Sequence, residues 1–308
     1  MIKDIRLTSA FKSLKLEQTN GHAYLFYSAD EVLNNNIALI YAKSLLCENH
    51  TACSNCNACK MFDSLSHPDL TIIEKDSIKV EDASSIINKL NTKPIISSKK
   101  LFIILNAENM NELAQNKLLK SLEEPNESNI FILTTTKTDK ILPTVLSRVS
   151  KMFVPKLTKQ DKQLIQEELL LQSIKIEKYV DVDISLTEIL NNEINSEFQT
   201  TVDSIYKMLT SLKTSADIPV VSSSLSKANK NLFLSVLMEM FLSAIKSEKS
   251  KFDSNIILYI KNNYSEKAII KCCKLIEDAY KKVLANVNFT YVLDNLLFNI
   301  LKEKFLCK

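Results

Sequence analysis

Four cysteines in one short stretch, Cys47, Cys53, Cys56 and Cys59 in CENHTACSNCNACK, carry the plainest chemistry in the sequence. Two overlapping Cys-x-x-Cys steps can each set two thiolates on one tetrahedral ion. The upstream cysteine completes a four-sulfur set with metal–sulfur distances of about 2.3 Å. A closed set of four predicts structural zinc, with no position left open for water. Disulfides are the competing arrangement, and a reducing compartment disfavours them. His50 stands in the same stretch, either as a substitute ligand or as a solvated loop histidine. Cys272, Cys273 and Cys307 fall on expected helices far along the chain and read as ordinary buried thiols.

Other kinds of chemistry are excluded by what the sequence lacks. Gly21 is the one glycine in 308 residues, where ordinary usage of about 7% gives about twenty. A phosphate-binding loop needs Gly-x-x-x-x-Gly-Lys-Ser/Thr, because the backbone must turn tightly and bring its N–H groups against the phosphates. This chain cannot contain that loop. His67-Pro68-Asp69 offers His67 as a base, but no nucleophile partner can be assigned, so His67 is expected to pack a turn. A net charge of +3 is too small to argue for nucleic-acid binding without a concentrated patch. No apolar run reaches the roughly 20 residues needed to cross a bilayer. The amphipathic start lacks the apolar stretch of a secretory leader. A cytoplasmic chain with no membrane partner is therefore expected.

The elements that must position these residues read as a parallel α/β unit followed by helices. Leu101 to Leu105 and Ile130 to Thr134 are short apolar runs of buried-strand type. They flank a helix from Asn111 to Glu124, with Leu113, Leu118, Leu119 and Leu122 at helical spacing and Pro125 as its stop. This is a β-α-β unit. Upstream, a strand from Ala23 to Ser28 precedes a helix to Leu46, and a strand from Leu70 to Glu74 precedes a helix from Val80 to Leu90. Beyond Pro155 the alternation stops. Helices are expected over Lys159 to Glu177, Ser196 to Leu212, Asn229 to Lys246, Tyr264 to Asn286 with Ser265 as N-cap, and Phe289 to Phe305. Thr214 to Lys227, serine-rich and carrying Pro219, is expected to be a break or loop between helices.

LLKSLEEP, then a strand, TTT and LPTVLSR, resembles the core of bacterial DNA polymerase III clamp-loader subunits, the AAA+ family that includes gamma/tau and delta prime. The resemblance implies an AAA+ parallel-sheet core over 1–155 with a zinc module inserted at 47–59. A helical lid over 156–213 and an all-α collar for oligomerisation over 214–308 would follow. Clamp-loader subunits carry a similar four-cysteine module, although its first spacing is shorter here. The ends HAYLF and AKxLxC match the span that holds the phosphate loop in hydrolysing members. Here Ser28 and Leu33 stand at its glycine positions and Asn34-Asn35 at its Lys-Thr. Asn106 and Ala107 stand where such members place Asp-Glu, and an amide and a methyl group cannot replace two carboxylates in metal-assisted phosphoryl transfer.

Thr134 to Thr136 takes the place of a phosphate-sensing polar residue, and INSEFQTTVDSI has no lid arginine. The resemblance thus implies a non-hydrolysing member with no catalytic residue in cis and no ATP hydrolysis of its own. Ser147-Arg148 corresponds to the family's Ser-Arg-Cys, with Val149 at the cysteine. Arg148 would then complete the ATP site of a neighbouring gamma/tau subunit; the alternative is an ordinary surface arginine. Implied partners are gamma/tau and delta, with the sliding clamp and primed DNA reached through the complex. Two other functions stay open. A gamma/tau-like ATPase would need the missing lysine and carboxylates, and a free-standing zinc-module nucleic-acid binder would need a basic face.

Overall fold

The computed structural model describes residues 2–14, 21–124, 126–171, 185–190, 192–226, 228–245, 252 and 254–306. Pro125 and Cys307 lie outside them. The chain divides into two compact units, Met1–Glu177 with Ser185–Thr187, and Lys178–Ile184 with Glu188–Lys308.

The first unit is built on five parallel strands, β1 (Ala23–Tyr27), β2 (Leu70–Ile73), β3 (Lys100–Ile104), β4 (Asn129–Thr135) and β5 (Ser150–Phe153), in the order β2-β3-β4-β1-β5. Parallel neighbours need crossover connections. Helices supply them: α2 (Glu31–Leu46) and α3 (Asn57–Asp63) after β1, α4 (Val80–Leu90) after β2, α5 (Glu112–Glu123) after β3 and α6 (Pro143–Leu146) after β4. Short helix α1 (Ser9–Ser13) precedes the sheet and α7 (Lys159–Leu171) follows it. The Lys3–Leu7 turn is tied to α7 where Glu168 accepts the N–H groups of Lys3 and Asp4, each at 2.8 Å.

β3 and β4 are buried along their whole lengths, as central parallel strands covered on both faces must be. On one face Phe102 stacks on Phe131 with ring centroids 5.4 Å apart, within a cluster that includes Ile86, Leu118 and Leu122. Tyr24 meets Tyr41 of α2 edge-on at 5.4 Å. α5 starts where Asn111 accepts the Ala114 N–H at 2.8 Å. One expectation fails here. Leu113 is 67% exposed, because Ala114, Leu118 and Leu122 form the buried i, i+4 line and Leu113 lies one residue off it. Gly21 stands beside Ser150 and Tyr24, where an added Cβ would lie 3.1 Å from Ser150 Oγ.

The second unit is helical. Its elements are α9 (Asn192–Ser211), α10 (Ile218–Leu225), α11 (Lys230–Ile245), α12 (Ser254–Asn263), α13 (Glu266–Leu284) and α14 (Phe289–Phe305), preceded by α8 (Leu186–Leu190) at the junction. α11 is apolar almost all round, with Leu232, Phe233, Leu234, Val236, Leu237, Met240 and Phe241 fully buried. The Ser265 hydroxyl caps α13 as expected, accepting from Ala268 N.

The break or loop expected over 214–227 is instead a short turn followed by α10. Asp217 gathers the N–H groups of Lys213 and Thr214, and Pro219 lies in the first helical turn, where its missing N–H costs nothing. α12 was not expected at all. Its Ile256, Ile257 and Ile260 are buried, and its run is too short to stand out beside its longer neighbours.

Candidate functional site

In open parallel sheets, ligands bind beyond the carboxyl ends of the strands, near the point where strand order reverses. Ser28, Asn106 and Thr134–Thr136 occupy that position at the ends of β1, β3 and β4. The side chains there bond to one another. The Thr134 hydroxyl donates to Asn35 Oδ1 at 2.6 Å and accepts the Asn106 N–H at 2.9 Å. Asn35 Nδ2 donates to Asn106 Oδ1 at 3.2 Å, and Asn106 Nδ2 donates to Glu31 Oε1 at 2.7 Å.

Asn34, 1% exposed, donates to the carbonyls of Thr135 (3.0 Å) and Ser28 (3.2 Å) and accepts the Ser28 hydroxyl at 2.8 Å. Leu33 is fully buried. Asn106 has φ 54°, a left-handed conformation that asparagine tolerates better than most side chains. Ala107 belongs to the buried apolar cluster of the first unit. Sequence reasoning passed over Glu31 and Glu108. Glu108 Oε1 accepts the Thr136 hydroxyl at 2.6 Å and its N–H at 3.0 Å. Burial pushes the Glu108 carboxyl up, and the Thr136 hydrogen bonds outweigh burial and hold it below the usual carboxylate range.

Ser147-Arg148 follows α6. Arg148 Nη1 donates to the Thr144 carbonyl at 2.7 Å and to Ser147 Oγ at 3.2 Å, while Nη2 pairs with Glu123 at the end of α5. The guanidinium is partly exposed, and its Nε has no partner among the described residues. Val149 is buried in the core, so an apolar side chain suits the position where relatives are expected to carry cysteine.

The four cysteines converge. The Sγ atoms of Cys47, Cys53, Cys56 and Cys59 all lie within 4.8 Å of one another, with Cys56 and Cys47 at 3.9 Å. Tetrahedral ligation by sulfur at about 2.3 Å requires edges of about 3.8 Å, so this set could hold a metal ion. His50, exposed and with φ 53°, is not among the clustered ligand atoms. Backbone amides turn toward the sulfurs, Cys56 N to Cys53 Sγ and Cys59 N to Cys56 Sγ, both at 3.4 Å. Burial pushes the Cys47 thiol up, but amides including those of Cys53, Thr51 and Asn49 outweigh it and bring it to about 6. At Cys59 burial prevails over the backbone amide of Ser54 and holds the thiol well above the ordinary range.

The cluster is anchored to α2 by Lys43. Its side chain is 1% exposed, and Nζ bonds both carboxylate oxygens of Asp63 at 2.7 Å and Ser54 Oγ at 2.9 Å.

His67 is buried and accepts the Asp69 N–H at Nδ1, which makes it a turn residue as expected. Burial lowers its pKa below the ordinary histidine value. Asp69 is fully buried and takes the N–H groups of Ile95, Ile96 and Ser97 at 2.6, 2.8 and 2.9 Å. Cys272 is a buried thiol and Cys273 a half-buried one, both on α13.

The family model described as DNA polymerase III, delta subunit, matches residues 5–158, half of the chain. Subunit delta' of Bacillus subtilis (strain 168) is 36% identical over 132 residues, 42% of this chain and 40% of that one. Subunit tau/gamma of Haemophilus influenzae is 36% identical over 131 residues, 41% of this chain and 19% of that one. A solved gamma subunit-related protein from Thermotoga maritima aligns over 96% of this chain and all of that one, at 18% identity and a TM-score of 0.41. The matched stretch spans about two-fifths of the length of the Bacillus subtilis relative. On the family model that matches half of it, the chain belongs to the DNA polymerase III delta-subunit family, as a bacterial clamp-loader subunit of the delta' type.

Proposed function

We propose that this subunit is a non-hydrolysing member of the clamp-loader ring, and that it places Arg148 in the ATP site of an adjacent gamma/tau subunit while the complex loads a sliding clamp onto primed DNA. One observation supports the reading: at the carboxyl ends of β3 and β4 the polar groups of Asn35, Thr134, Asn106 and Glu31 are taken up by hydrogen bonds to one another. No lysine or arginine joins that network among the described residues. A site for transferable phosphate needs cationic groups and a metal-binding carboxylate pair; this one presents amides and the carboxylate of Glu31.

Arg148 suits action in trans because a guanidinium stays charged and offers a planar fork to phosphate oxygens. Glu123 holds that fork in the isolated chain, and a neighbour's phosphate would take Glu123's place as the anion. In this reading 1–155 is the AAA+ core, 156–213 the lid and 214–308 the collar that meets gamma/tau and delta. Cys47, Cys53, Cys56 and Cys59 would hold a structural zinc, which supplies folding energy and no chemistry. The protein would act in the cytoplasm.

The test is clamp- and primer-stimulated ATP hydrolysis by a loader rebuilt from cognate gamma or tau, delta and this chain. Native chain is compared with Arg148→Ala. Lower turnover with assembly intact supports the reading; unchanged turnover with assembly intact makes the subunit a scaffold only. ATP hydrolysis by the purified chain would return it to the gamma/tau type. Salt-sensitive DNA binding by the chain alone would favour the nucleic-acid binder.

A further inference from the structure

Helix α2 opens with two carboxylates, Asp30 as its N-cap and Glu31 in its first turn. Asp30 is 7% exposed and does more than cap. Its Oδ1 accepts the N–H of Leu33 at 3.1 Å, the N–H of Thr187 at 3.1 Å and the Thr187 hydroxyl at 2.8 Å, while Oδ2 accepts the N–H of Leu186. The Thr187 hydroxyl oxygen in turn accepts the N–H of Val32 at 2.9 Å. The first-turn donors Val32 and Leu33 are thus taken by two oxygens of the chain itself. Such donors are left free by the helix and form the natural seat of a phosphate, at the positive end of the helix dipole.

We propose that Asp30 is a resident anion in this subunit. Its carboxylate, completed by the Thr187 hydroxyl, fills the phosphate position at the start of α2 and fastens residues 185–187 to that helix without any nucleotide. The proposal deepens the reading of a non-hydrolysing subunit and rests on it for its purpose: a fastening made by an aspartate cannot be released by hydrolysis or exchange. The contact is independent of ATP, and it excludes a phosphate by occupation and by charge. The missing lysine alone would only weaken phosphate binding.

Amide hydrogen exchange on the full-length chain tests this residue by residue. In the native protein the amides of Val32, Leu33, Leu186 and Thr187 exchange slowly, at rates unchanged by Mg-ATP or inorganic phosphate. In Asp30→Ala those at Leu33, Leu186 and Thr187 accelerate about tenfold or more, the scale of a lost charge-assisted hydrogen bond, while β3 and β4 keep their native rates. Added formate, a small carboxylate, restores slow exchange.

Native rates in Asp30→Ala overturn the proposal, as does acceleration that formate leaves unchanged. Slowing of the native amides by Mg-ATP or phosphate overturns it too, because the anion position would then be open. If Asp30→Ala does not fold, Thr187→Val decides: faster exchange at Val32 supports the proposal, and a native rate there overturns it. ATP hydrolysis by the purified chain would sink the non-hydrolysing reading, and a loader indifferent to Arg148 its trans-acting part; either leaves the exchange result at Asp30 standing.

Discussion

The hydroxyl of Thr134 lies 2.6 Å from the side-chain carbonyl of Asn35, and the same oxygen receives the N–H of Asn106. Residues at the ends of β3 and β4 and in the first turns of α2 are therefore joined through one buried atom. Thr134→Val keeps the shape and removes both bonds, leaving the Asn106 N–H and Asn35 Oδ1 short of a partner in a buried corner. A loss of about 1–3 kcal/mol is expected, read as a lower urea midpoint with an unchanged slope. An unaltered midpoint would mean that water serves these groups equally well.

Arg148 is expected to matter to its neighbour and hardly at all to its own fold. Its pair with Glu123 is partly exposed, so Glu123→Gln should change stability by about 1 kcal/mol or less. Arg148→Lys should behave like Arg148→Ala in the rebuilt loader, because a lysine cannot present the planar fork. Turnover at the site it serves should fall about 10³-fold, and clamp-stimulated hydrolysis should drop by that site's share. Full activity of Arg148→Lys would show that charge alone suffices.

The contrast between these two sites explains what was legible in the sequence. The cysteine set is local: four thiols within thirteen residues lie near one another, as their spacing predicts. The strands at 100–104 and 129–135 were legible because their burial leaves short apolar runs at 101–105 and 130–133. α5 was legible, but the exposure of Leu113 was not, since spacing alone does not say which line of the helix is buried.

The amide network was half visible. Asn35 and Asn106 could be named as departures from an ATPase and Thr134 as the occupant of a sensing position, but their bonding to one another depends on strand order across 71 and 99 residues of chain. Asp30 gave no signal, because its partners at Leu186 and Thr187 lie 156 and 157 residues away. α10 was obscured by Pro219 and a run of serines, residues that also serve at helix starts.

The metal set and Lys43 should behave as one unit. The purified chain should carry one zinc, and a strong chelator should lower its melting temperature, since metal binding contributes folding energy to such a module. Lys43→Met keeps the bulk of the side chain but releases Ser54, which stands between Cys53 and Cys56, and leaves Asp63 without its partner. Groups that orient ligands in this way typically affect metal affinity 10–100-fold. Zinc transfer to a chromophoric chelator should speed up by about that range. A native transfer rate in Lys43→Met would reduce the lysine to a simple tether of α3.

Asp69 should set part of the protein's acid sensitivity. Burial pushes its carboxyl up, but the N–H groups of Ser97, Ile95 and Ile96 outweigh burial and hold it below the ordinary aspartate value. Because the folded pKa is depressed, the stability Asp69 supplies is fully present above the unfolded value of about 3.9 and is lost as pH falls through the lower folded value. At neutral pH, Asp69→Asn should cost about 2–3 kcal/mol, since an amide cannot accept three N–H groups as a carboxylate does. The difference between native and Asp69→Asn should then shrink as the medium is acidified below pH about 4. Urea midpoints measured for both proteins from neutral to acid pH would show the two curves converging; parallel curves would place the acid-sensitive group elsewhere. The loop held by Asp69 carries Ile95 and Ile96 at 74% and 57% exposure. The same acid titration should therefore release that loop first, and proteolysis at 93–99 should appear at a higher pH than global unfolding.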